Sequence, residues 1–375
     1  MIQQTQYTPT TPKYNFPPAL KDTTLPQRFI ELSIQTLKNI QNQTALFQPY
    51  TTEDTDAEST QTETAEEITP VFLGQTSLRL KPIQLKPNRE QTTIVAVDVS
   101  SIRIGETETG VLLAIRGAIV WKNQAHYRYL RIGPFPFHIT EENKNQVYRL
   151  FRQYSFSQTP NNHAGSAPSL NHISARMGTL LERWLQTITA TTSHQSIILW
   201  DGSLTAGTTD APLQTISQLL HTARNRLNTV LAFTKQTRLR LNGHRISDLT
   251  SACTPPYLLP LDGYPTSTFP HNTIHFLGNI YVAKLSQGSC SFRLDIDQKI
   301  TQDHAIEATQ RLIGNDILLQ SYPETLRLAH IYSTFTANEV LGIQRLLALT
   351  HGLKTIQRPN IRRLLFGPFG KGPES

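Results

Sequence analysis

The feature that most constrains this chain is a pair of short apolar runs that each lead into an aspartate. The first, IVAVDVS, brings residues 94–97 into Asp98, and the second, IILWDGS, brings residues 197–200 into Asp201. Short apolar runs bounded by turn residues are typical of buried strands in a mixed or parallel sheet. The carboxyl ends of such strands open onto the crevice where α/β folds bind ligands. Two runs of one form predict one sheet with both acids at one edge, although Asp-Gly-Ser is also an ordinary turn.

Length and composition limit the class of protein. The chain has 375 residues, of which 38% are apolar, so it has room for one large domain or two ordinary ones. No run approaches the roughly 18 apolar residues that span a bilayer, and the amino-terminal residues lack a signal-peptide pattern. Cys253 and Cys290 are too few for a disulfide framework. We therefore expect a cytoplasmic protein that does not enter membranes.

Charge is unevenly distributed along the chain. The formal net charge is +7, yet no Lys or Arg stands between Lys38 and Arg79, where seven acids lie within 53–67. The remainder of the chain is therefore more basic than the total suggests. A basic body attracts polyanions, and nucleic acid is the first candidate. Basic proteins that never bind DNA are common, so charge alone does not decide the matter.

The composition also suggests how the chain is divided. We predict an amino-terminal extension over 1–50 that contains a helix, an acidic disordered linker over 51–70, a main domain over 71–356 with a Pro-rich insertion at 254–270, and a basic tail over 357–375. The helix is predicted within 26–47, with one apolar face made of Phe29, Ile30, Ile34, Leu37 and Ile40. The tail combines arginines with two phenylalanines. These could bind single-stranded nucleic acid through phosphate contacts and base stacking, or the tail could dock on a partner protein or the other subunit.

The main domain alternates strands and helices. A strand that ends at Asp98 is followed by β-rich runs at 110–121 and 126–133, which together predict a three-stranded antiparallel meander. Later strands are predicted around 197–200, 228–235, 279–286 and 290–296. Helices are predicted near 141–154, 172–190, 211–227, 301–319, 322–333 and 337–350. The order predicts one mixed α/β sheet flanked by helices.

Two acids held together on one sheet repel each other unless a cation binds between them. Carboxylate oxygens suit Mg²⁺ or Mn²⁺. An antiparallel meander whose first strand carries an Asp, with a second Asp on a later parallel strand, is the layout of the RNase H-like fold. There, two metal ions can polarise a phosphodiester and activate water. Coincidental turn acids remain the alternative interpretation of Asp98 and Asp201.

Four blocks carry a specific resemblance. AVDVSS, ILWDGSL, VLAFTKQTRL and SYPETLRLAHIYSTF, in this order, resemble the NurA family of nucleases, which process DNA ends together with the hexameric ATPase HerA. The similarity spans about residues 91–350. It implies an RNase H-like core, DNA as substrate, nuclease activity favoured by Mn²⁺ (or Mg²⁺) with two ions per site, a homodimer, and a HerA-like hexameric ATPase as partner. The main domain is then a NurA-like nuclease domain.

The resemblance also implies site residues. Asp98 matches the family's first-strand acid and Asp201 the acid of its Asp-Gly-Ser motif, so both are expected as metal ligands and catalytic residues. Glu182 matches a helix acid that completes the metal shell. The remaining matches are Tyr322 and His330 as catalytic residues, with His330 also as a ligand, and Lys235 as a phosphate contact that Arg238 and Arg240 extend.

Each of these residues has a structural alternative. Glu182 could be a solvated helix acid that pairs with Arg183 or Arg176. His330 and Tyr322 could be core residues on an apolar helix, where Pro323 would stand in the first turn. The basic run could be a solvated helix end.

The chain departs from the family at the first motif, where Val99 stands in place of the usual glycine. Valine can continue a strand where glycine would let the backbone turn, so the local geometry could differ. Three functions remain open. The first is a metal-dependent DNA nuclease that acts in end processing and double-strand break repair. The second is a poorly catalytic module that binds DNA or a motor, and the third is a structure-specific endonuclease.

Overall fold

A computed structural model describes most of the chain. The described residues are 24–47, 81–156, 166–237, 239–241, 244–249, 253–261 and 274–357. The helices among them are α1 (Thr24–Leu37), α2 (Lys144–Ser155), α3 (Leu170–Thr192), α4 (Leu213–Asn225), α5 (Gln302–Asn315), α6 (Glu324–Ser333) and α7 (Ala337–His351), with short 3-10 turns at Lys38–Ile40 and Ile246–Asp248.

Most strands are short, but three exceed a dozen residues. The strands are β1 (Thr44–Phe47), β2 (Ile83–Gln84), β3 (Thr93–Thr107), β4 (Gly110–Asn123), β5 (His126–Thr140), β6 (Ser196–Asp201), β7 (Thr205–Ala206), β8 (Thr229–Thr234), β9 (Arg240–Leu241), β10 (His244–Arg245), β11 (Tyr257–Pro260), β12 (His275–Phe276), β13 (Gly278–Lys284), β14 (Phe292–Asp297), β15 (Leu318–Leu319), β16 (Tyr322–Pro323) and β17 (Lys354–Gln357).

One large mixed sheet organises the fold. Its described strands follow the order β17-β1-β3-β6-β8-β14-β13-β11-β2, with β4 and then β5 joined to β3. The long strands β3, β4 and β5 form the predicted antiparallel meander. The central strands β3, β6 and β8 are parallel, and β8, β14 and β13 are antiparallel. The predicted α/β class is confirmed: an antiparallel meander and parallel strands share one sheet, which helices flank.

The prediction that the first strand ends at Asp98 is wrong. β3 runs on to Thr107 because it pairs with β4 over nearly its whole length. Its other edge is divided: residues 93–97 pair with β6, and residues 105–107 pair with β1. Between these two partners, no described strand pairs with that edge of β3. Asp98 is the first residue of this gap.

Successive side chains of β3 and β6 point to opposite faces of the sheet and pack into two different cores. One core, under α1 to α4, takes Val95, Val97, Ile198 and Trp200 from β3 and β6. The other, under α5 and α6, takes Ile94, Ala96, Ile197 and Leu199. Because successive residues of a strand point to opposite faces, Asp98 and Asp201 share the face that α6 covers.

The predicted helix within 26–47 is corrected at both its length and its face. α1 ends at Leu37, and after a left-handed residue, Asn42 (φ 60°), the chain forms β1. Pairing with β3 and β17 satisfies the β1 backbone, and this tertiary gain outweighs local helical periodicity. Ile34, expected on the buried face, is 54% exposed.

The predicted helix over 301–319 is also too long, and the next one starts too early. α5 ends at Asn315, and Leu318–Leu319 then pairs with Tyr322–Pro323. Gln320 and Ser321 have positive φ angles of 51° and 70°, which form the turn of this small hairpin. Helix α6 begins only at Glu324, because Pro323 is its extended N-cap residue.

Several predicted segments lie outside the described residues: the linker at 51–70, residues 262–270 of the Pro-rich insertion and the tail beyond 357. The described part of the insertion contains β11, a strand of the main sheet. The division of the chain therefore stays a prediction, although β1 is a strand of the main sheet and α1 contributes side chains to the cores beside it. None of the helices in the described ranges is long and apolar enough to cross a membrane.

Candidate metal centre

Asp98 and Asp201 lie side by side at the opening of the sheet. β3 and β6 pair in parallel up to Val97 opposite Trp200, so the next residue on each strand is an aspartate. Asp98 is buried and Asp201 is half-buried. Val99 does not displace the acid: it continues β3 with its side chain on the α3 face, where its Cγ atoms approach Gly117 and Gly178. The sequence departure therefore leaves Asp98 in register with Asp201.

Helix α6 supplies two donors to Asp98. His330 Nδ1 lies 3.1 Å from Asp98 Oδ2, and the hydroxyl of Ser333 donates to the same oxygen. The two residues are three apart, a spacing that places both on one side of a helix. The hydrogen bond with Asp98 raises the pKa of His330 and outweighs burial, which lowers it.

Three potential ligands converge at this point. One ligand atom each from Asp98, Asp201 and His330 lie within 4.8 Å of one another. Burial raises the pKa of Asp201; the charge of Lys235 opposes this, and that of Asp98 adds to it. Two carboxylates and an imidazole form a donor set that fits a divalent cation such as Mn²⁺, and a cation would relieve the repulsion between the acids.

Lys235 lies against the Asp201 side of the cluster. Its ammonium is 2.6 Å from Asp201 Oδ2 and 5.5 Å from the centre of the Tyr322 ring. The lysine that sequence alone placed on DNA thus neutralises one of the acids. Of the two arginines that extend the basic run, Arg240 is half-buried in β9, and Arg238 lies outside the described residues.

Glu182 lies on the other face of the sheet. It is not among the residues whose ligand atoms converge within 4.8 Å, but the charges of the two aspartates act on it. Burial raises its pKa to about 8; nearby Arg183 opposes this, and the charges of Asp98 and Asp201 add to it. Gln186 Nε2 donates to Glu182 Oε1 at 2.9 Å. One turn earlier, Gly178 lets α3 approach β3, because a Cβ there would lie 3.2 Å from the Oγ of a β3 serine.

The alternative interpretation of Glu182 as a solvated acid names Arg183 and Arg176 as its partners. Arg183 lowers the pKa of Glu182 through its charge. Arg176 pairs with Asp210 at 2.9 Å, and Arg183 donates to the oxygen of Gln186 at 2.7 Å. Within the described part of the chain, neither arginine forms an ion pair with Glu182.

Tyr322 lies beside the cluster rather than within it. Its ring packs against Phe233 and Phe292, with centroid distances of 6.2 Å and 5.3 Å, and its contact with the cluster is through Lys235. The core-packing alternative therefore describes most of its surroundings.

Two residues of the site were missed by sequence reasoning, Ser333 and Gly178. Ser333 could have been found from its spacing of three from His330 once that histidine was placed on a helix. Gly178 stands four residues before Glu182, which is the same-face spacing of a helix.

Comparisons with known proteins find several solved structures to which this chain is similar. The chain is similar to the crystal structure of the NurA nuclease from Sulfolobus solfataricus, at 15% identity and a TM-score of 0.47, over 71% of this chain and 86% of that one. It is similar to Endonuclease V from Bacillus subtilis, at 12% identity and a TM-score of 0.33, over 73% of this chain and 89% of that one. A second NurA crystal structure has 9% identity and a TM-score of 0.33, over 66% and 85% of the two chains. No protein-family model and no curated protein matches. NurA nuclease structures are thus among the solved structures to which this chain is similar.

Proposed function

We propose that this protein is a metal-dependent nuclease that hydrolyses phosphodiester bonds of DNA. The observation that carries the proposal is the convergence of Asp98, Asp201 and His330 within 4.8 Å, with Glu182 close enough for its pKa to respond to both aspartates. Clusters of titratable groups with perturbed pKa values are typical of functional sites. The sequence resemblance supplies the substrate class, and the basic net charge is compatible with it.

Asp98, Asp201 and His330 would hold the cation, and Glu182 would complete the site for a second one. Bound Mn²⁺ or Mg²⁺ would supply Lewis acidity that polarises the phosphate. Lys235, whose ammonium lies against Asp201, would neutralise charge on a phosphate bound beside that acid. Tyr322 would orient Lys235 through the contact of its ring with the ammonium.

Proton transfer falls to Glu182 and His330. Burial raises the pKa of Glu182 to about 8, and a bound cation would lower that pKa, so that the carboxylate could act as a base. Glu182 would take a proton from the attacking water as the new oxygen–phosphorus bond forms. As the bond to the leaving 3′ oxygen breaks, that oxygen would take a proton from water where His330 holds the cation. His330 itself would give the proton only where its imidazole is protonated and is not a ligand, and the products are identical in both cases.

The finer parts of the proposal rest on the resemblance of the sequence motifs. They are action on DNA ends in double-strand break repair, a HerA-like hexameric ATPase as partner, a homodimer and two ions per site. The alternative of a poorly catalytic binding module required Val99 to displace Asp98, whereas Asp98 stays in register with Asp201. A structure-specific endonuclease would use the same cluster.

The test is cleavage of end-labelled single- and double-stranded linear DNA with Mn²⁺, Mg²⁺ or EDTA. Wild type is compared with Asp201→Asn and with a matched control, Asp303→Asn, an exposed acid in the first turn of α5. We expect metal-dependent cutting that only Asp201→Asn abolishes. Equal DNA binding without cutting by any variant, even with a HerA-like ATPase present, would support the binding module. Internal cuts independent of ends would support the endonuclease.

A further inference from the structure

The turn that follows Asp201 is held at three points. The amide of Gly202 donates to the backbone of β8 at 2.8 Å. The amide of Leu204 donates to Asp295 Oδ2 at 3.0 Å, and the carbonyl of Leu204 accepts from the amide of Leu277 at 2.8 Å. A strand end normally continues into a loop, and loops are the more mobile parts of a fold. Here three separate segments hold the turn.

Asp295 is the one side chain among these three contacts, and it is itself held rigidly. Arg293 Nε and Nη2 each donate to one oxygen of Asp295 at 2.7 Å, and both residues are 0% exposed. A buried ion pair of this kind is poor evidence for a stabilising role, because desolvation offsets much of the attraction. Its two-point geometry, however, fixes the plane of the carboxylate. The oxygen that faces Leu204 is thereby locked in place.

A glycine brings a further strand against the same contact. A Cβ on Gly278 would lie 3.0 Å from the Cβ of Asp295 and 3.2 Å from the Cβ of Leu204. Any side chain at this position would push the two residues apart. The close approach at Gly278 is therefore consistent with a turn that must stay tight.

The chain contains its own control for this arrangement. Asp297 lies two residues along β14 on the same face, is buried, and pairs with Arg224. Its other oxygen accepts from the amide of Lys299 at 3.0 Å, which is in the loop after β14. The two acids therefore share strand and face, and each is buried with an arginine partner, but only Asp295 bonds the turn after Asp201.

We propose that Asp295, oriented by Arg293, is a positioning residue that fixes the turn after Asp201 and so sets the direction of the Asp201 carboxylate toward its cation. The inference rests on the proposed function, since it assigns the device to the same metal centre. Partners that orient ligands from outside a metal site change metal affinity by roughly 10- to 100-fold when they are altered.

A single substitution would leave the other member of the buried ion pair without a partner, so each test variant replaces both residues of the pair. Arg293→Met/Asp295→Leu removes the ion pair and the acceptor for Leu204. Arg293→Met/Asp295→Asn removes the ion pair but keeps an oxygen for that amide. Arg224→Met/Asp297→Leu is the matched control. Each variant is first checked for native circular dichroism and cooperative thermal unfolding.

The main measurement is Mn²⁺ affinity by calorimetry, which does not depend on cleavage. We expect Arg293→Met/Asp295→Leu (the Leu variant) to bind Mn²⁺ at least about 10-fold more weakly than wild type. Arg293→Met/Asp295→Asn (the Asn variant) should recover most of the affinity, and the control Arg224→Met/Asp297→Leu should match wild type. Equal affinity in the Leu variant and the control would overturn the inference, and so would a wild type that binds no Mn²⁺. A wild type that binds Mn²⁺ with this pattern but cuts no DNA would overturn the proposed function alone.

If the Leu variant fails to fold, Gly278→Ala replaces it. The added methyl would press on Asp295 and Leu204 without changing any charge. We expect weaker Mn²⁺ binding and faster hydrogen exchange at the Leu204 amide. Unchanged values of both would contradict the inference.

Discussion

Asp98 and Asp201 are of one residue type and occupy matching positions on neighbouring strands, yet different contacts hold each of them in place. Asp98 stands inside a 15-residue strand whose backbone is fixed by β4, and its carboxylate is held by side chains of α6. Asp201 is the last residue of its strand, pairs with Lys235, and depends on the turn that follows it.

The difference concerns what must be fixed in each case. In the middle of a strand the backbone needs no further support, so the fold provides donors to the carboxylate. At a strand end the backbone itself is free to move, so the fold holds the turn through Asp295 and neutralises the acid with Lys235. The Asp98 side should therefore respond to changes in α6, and the Asp201 side to changes around its turn.

Removing the charge of either aspartate should cause the largest loss of Mn²⁺-dependent cleavage. We expect Asp98→Asn and Asp201→Asn each to reduce Mn²⁺-dependent cleavage by more than about 100-fold, beyond the range for residues outside the ligand set. Both variants should remain folded, because an amide replaces a carboxylate that is repelled by its neighbour. The measurements are initial cleavage rates and thermal unfolding. A large loss in only one variant would mean that the two acids do not share a cation.

A change in α6 should affect the Asp98 side. Ser333→Ala removes one donor to Asp98, and we expect about 10-fold weaker Mn²⁺ binding. Ser155→Ala is the matched control, because Ser155 is likewise the buried last residue of its helix and donates to a backbone carbonyl of the preceding turn. Each variant should lose about 1 kcal/mol of stability. Equal Mn²⁺ affinity in the two variants would show that Ser333 acts on stability alone.

A change at Lys235 should affect the Asp201 side and depend on metal. Lys235→Met removes the ammonium that pairs with Asp201. We expect the unfolding free energy of the metal-free protein to fall by about 1 kcal/mol, a small loss because the ion pair is only partly buried. Saturating Mn²⁺ should shrink this loss, since the metal then neutralises the acid. Lys144→Met, which breaks a surface pair with Glu141, is the control and should show no metal dependence. Chemical denaturation with and without Mn²⁺ checks both.

The smallest expected effect comes from Glu339, which lies near the end of α6 and pairs with two arginines. Arg116 donates to the carbonyl of Thr334 at 3.3 Å and to Glu339 at 3.0 Å, which ties the end of α6 to β4. Burial would raise the pKa of Glu339, but hydrogen bonds from Arg116, the Thr336 amide and Arg131 lower it from 4.5 to about 2.

A depressed carboxyl pKa adds stability above the ordinary pKa, and this stability is lost as the pH falls toward 2. After allowance for solvent screening the contribution is below about 1 kcal/mol. We expect Glu339→Gln to flatten the pH dependence of unfolding between pH 4.5 and 2. An unchanged acid profile would mean that the carboxylate contributes nothing to folding.

Much of the fold could be predicted from local patterns. Apolar runs and turn residues located the meander, the central strands and most helices, because these signals depend on neighbouring residues. The errors fell where distant pairing overrides local preference, as in β1 and in the hairpin of β15 and β16. The contact of Ser333 with Asp98 joins residues 235 positions apart, and that of Asp295 with Leu204 joins residues 91 apart. No local pattern contains such pairs.

By itself the sequence determined that two buried strands each carry an aspartate, that a helix carries His330, and that the body of the chain is basic. The tertiary structure alone decided that Asp98 and Asp201 stand in register, that Lys235 turns toward an acid, and that Glu182, on the opposite face, responds to the charges of both aspartates. The physical reason is that residue type and periodicity set which side chains are buried. The register between strands and the electrostatic neighbours of each charge are set by packing across the whole sheet.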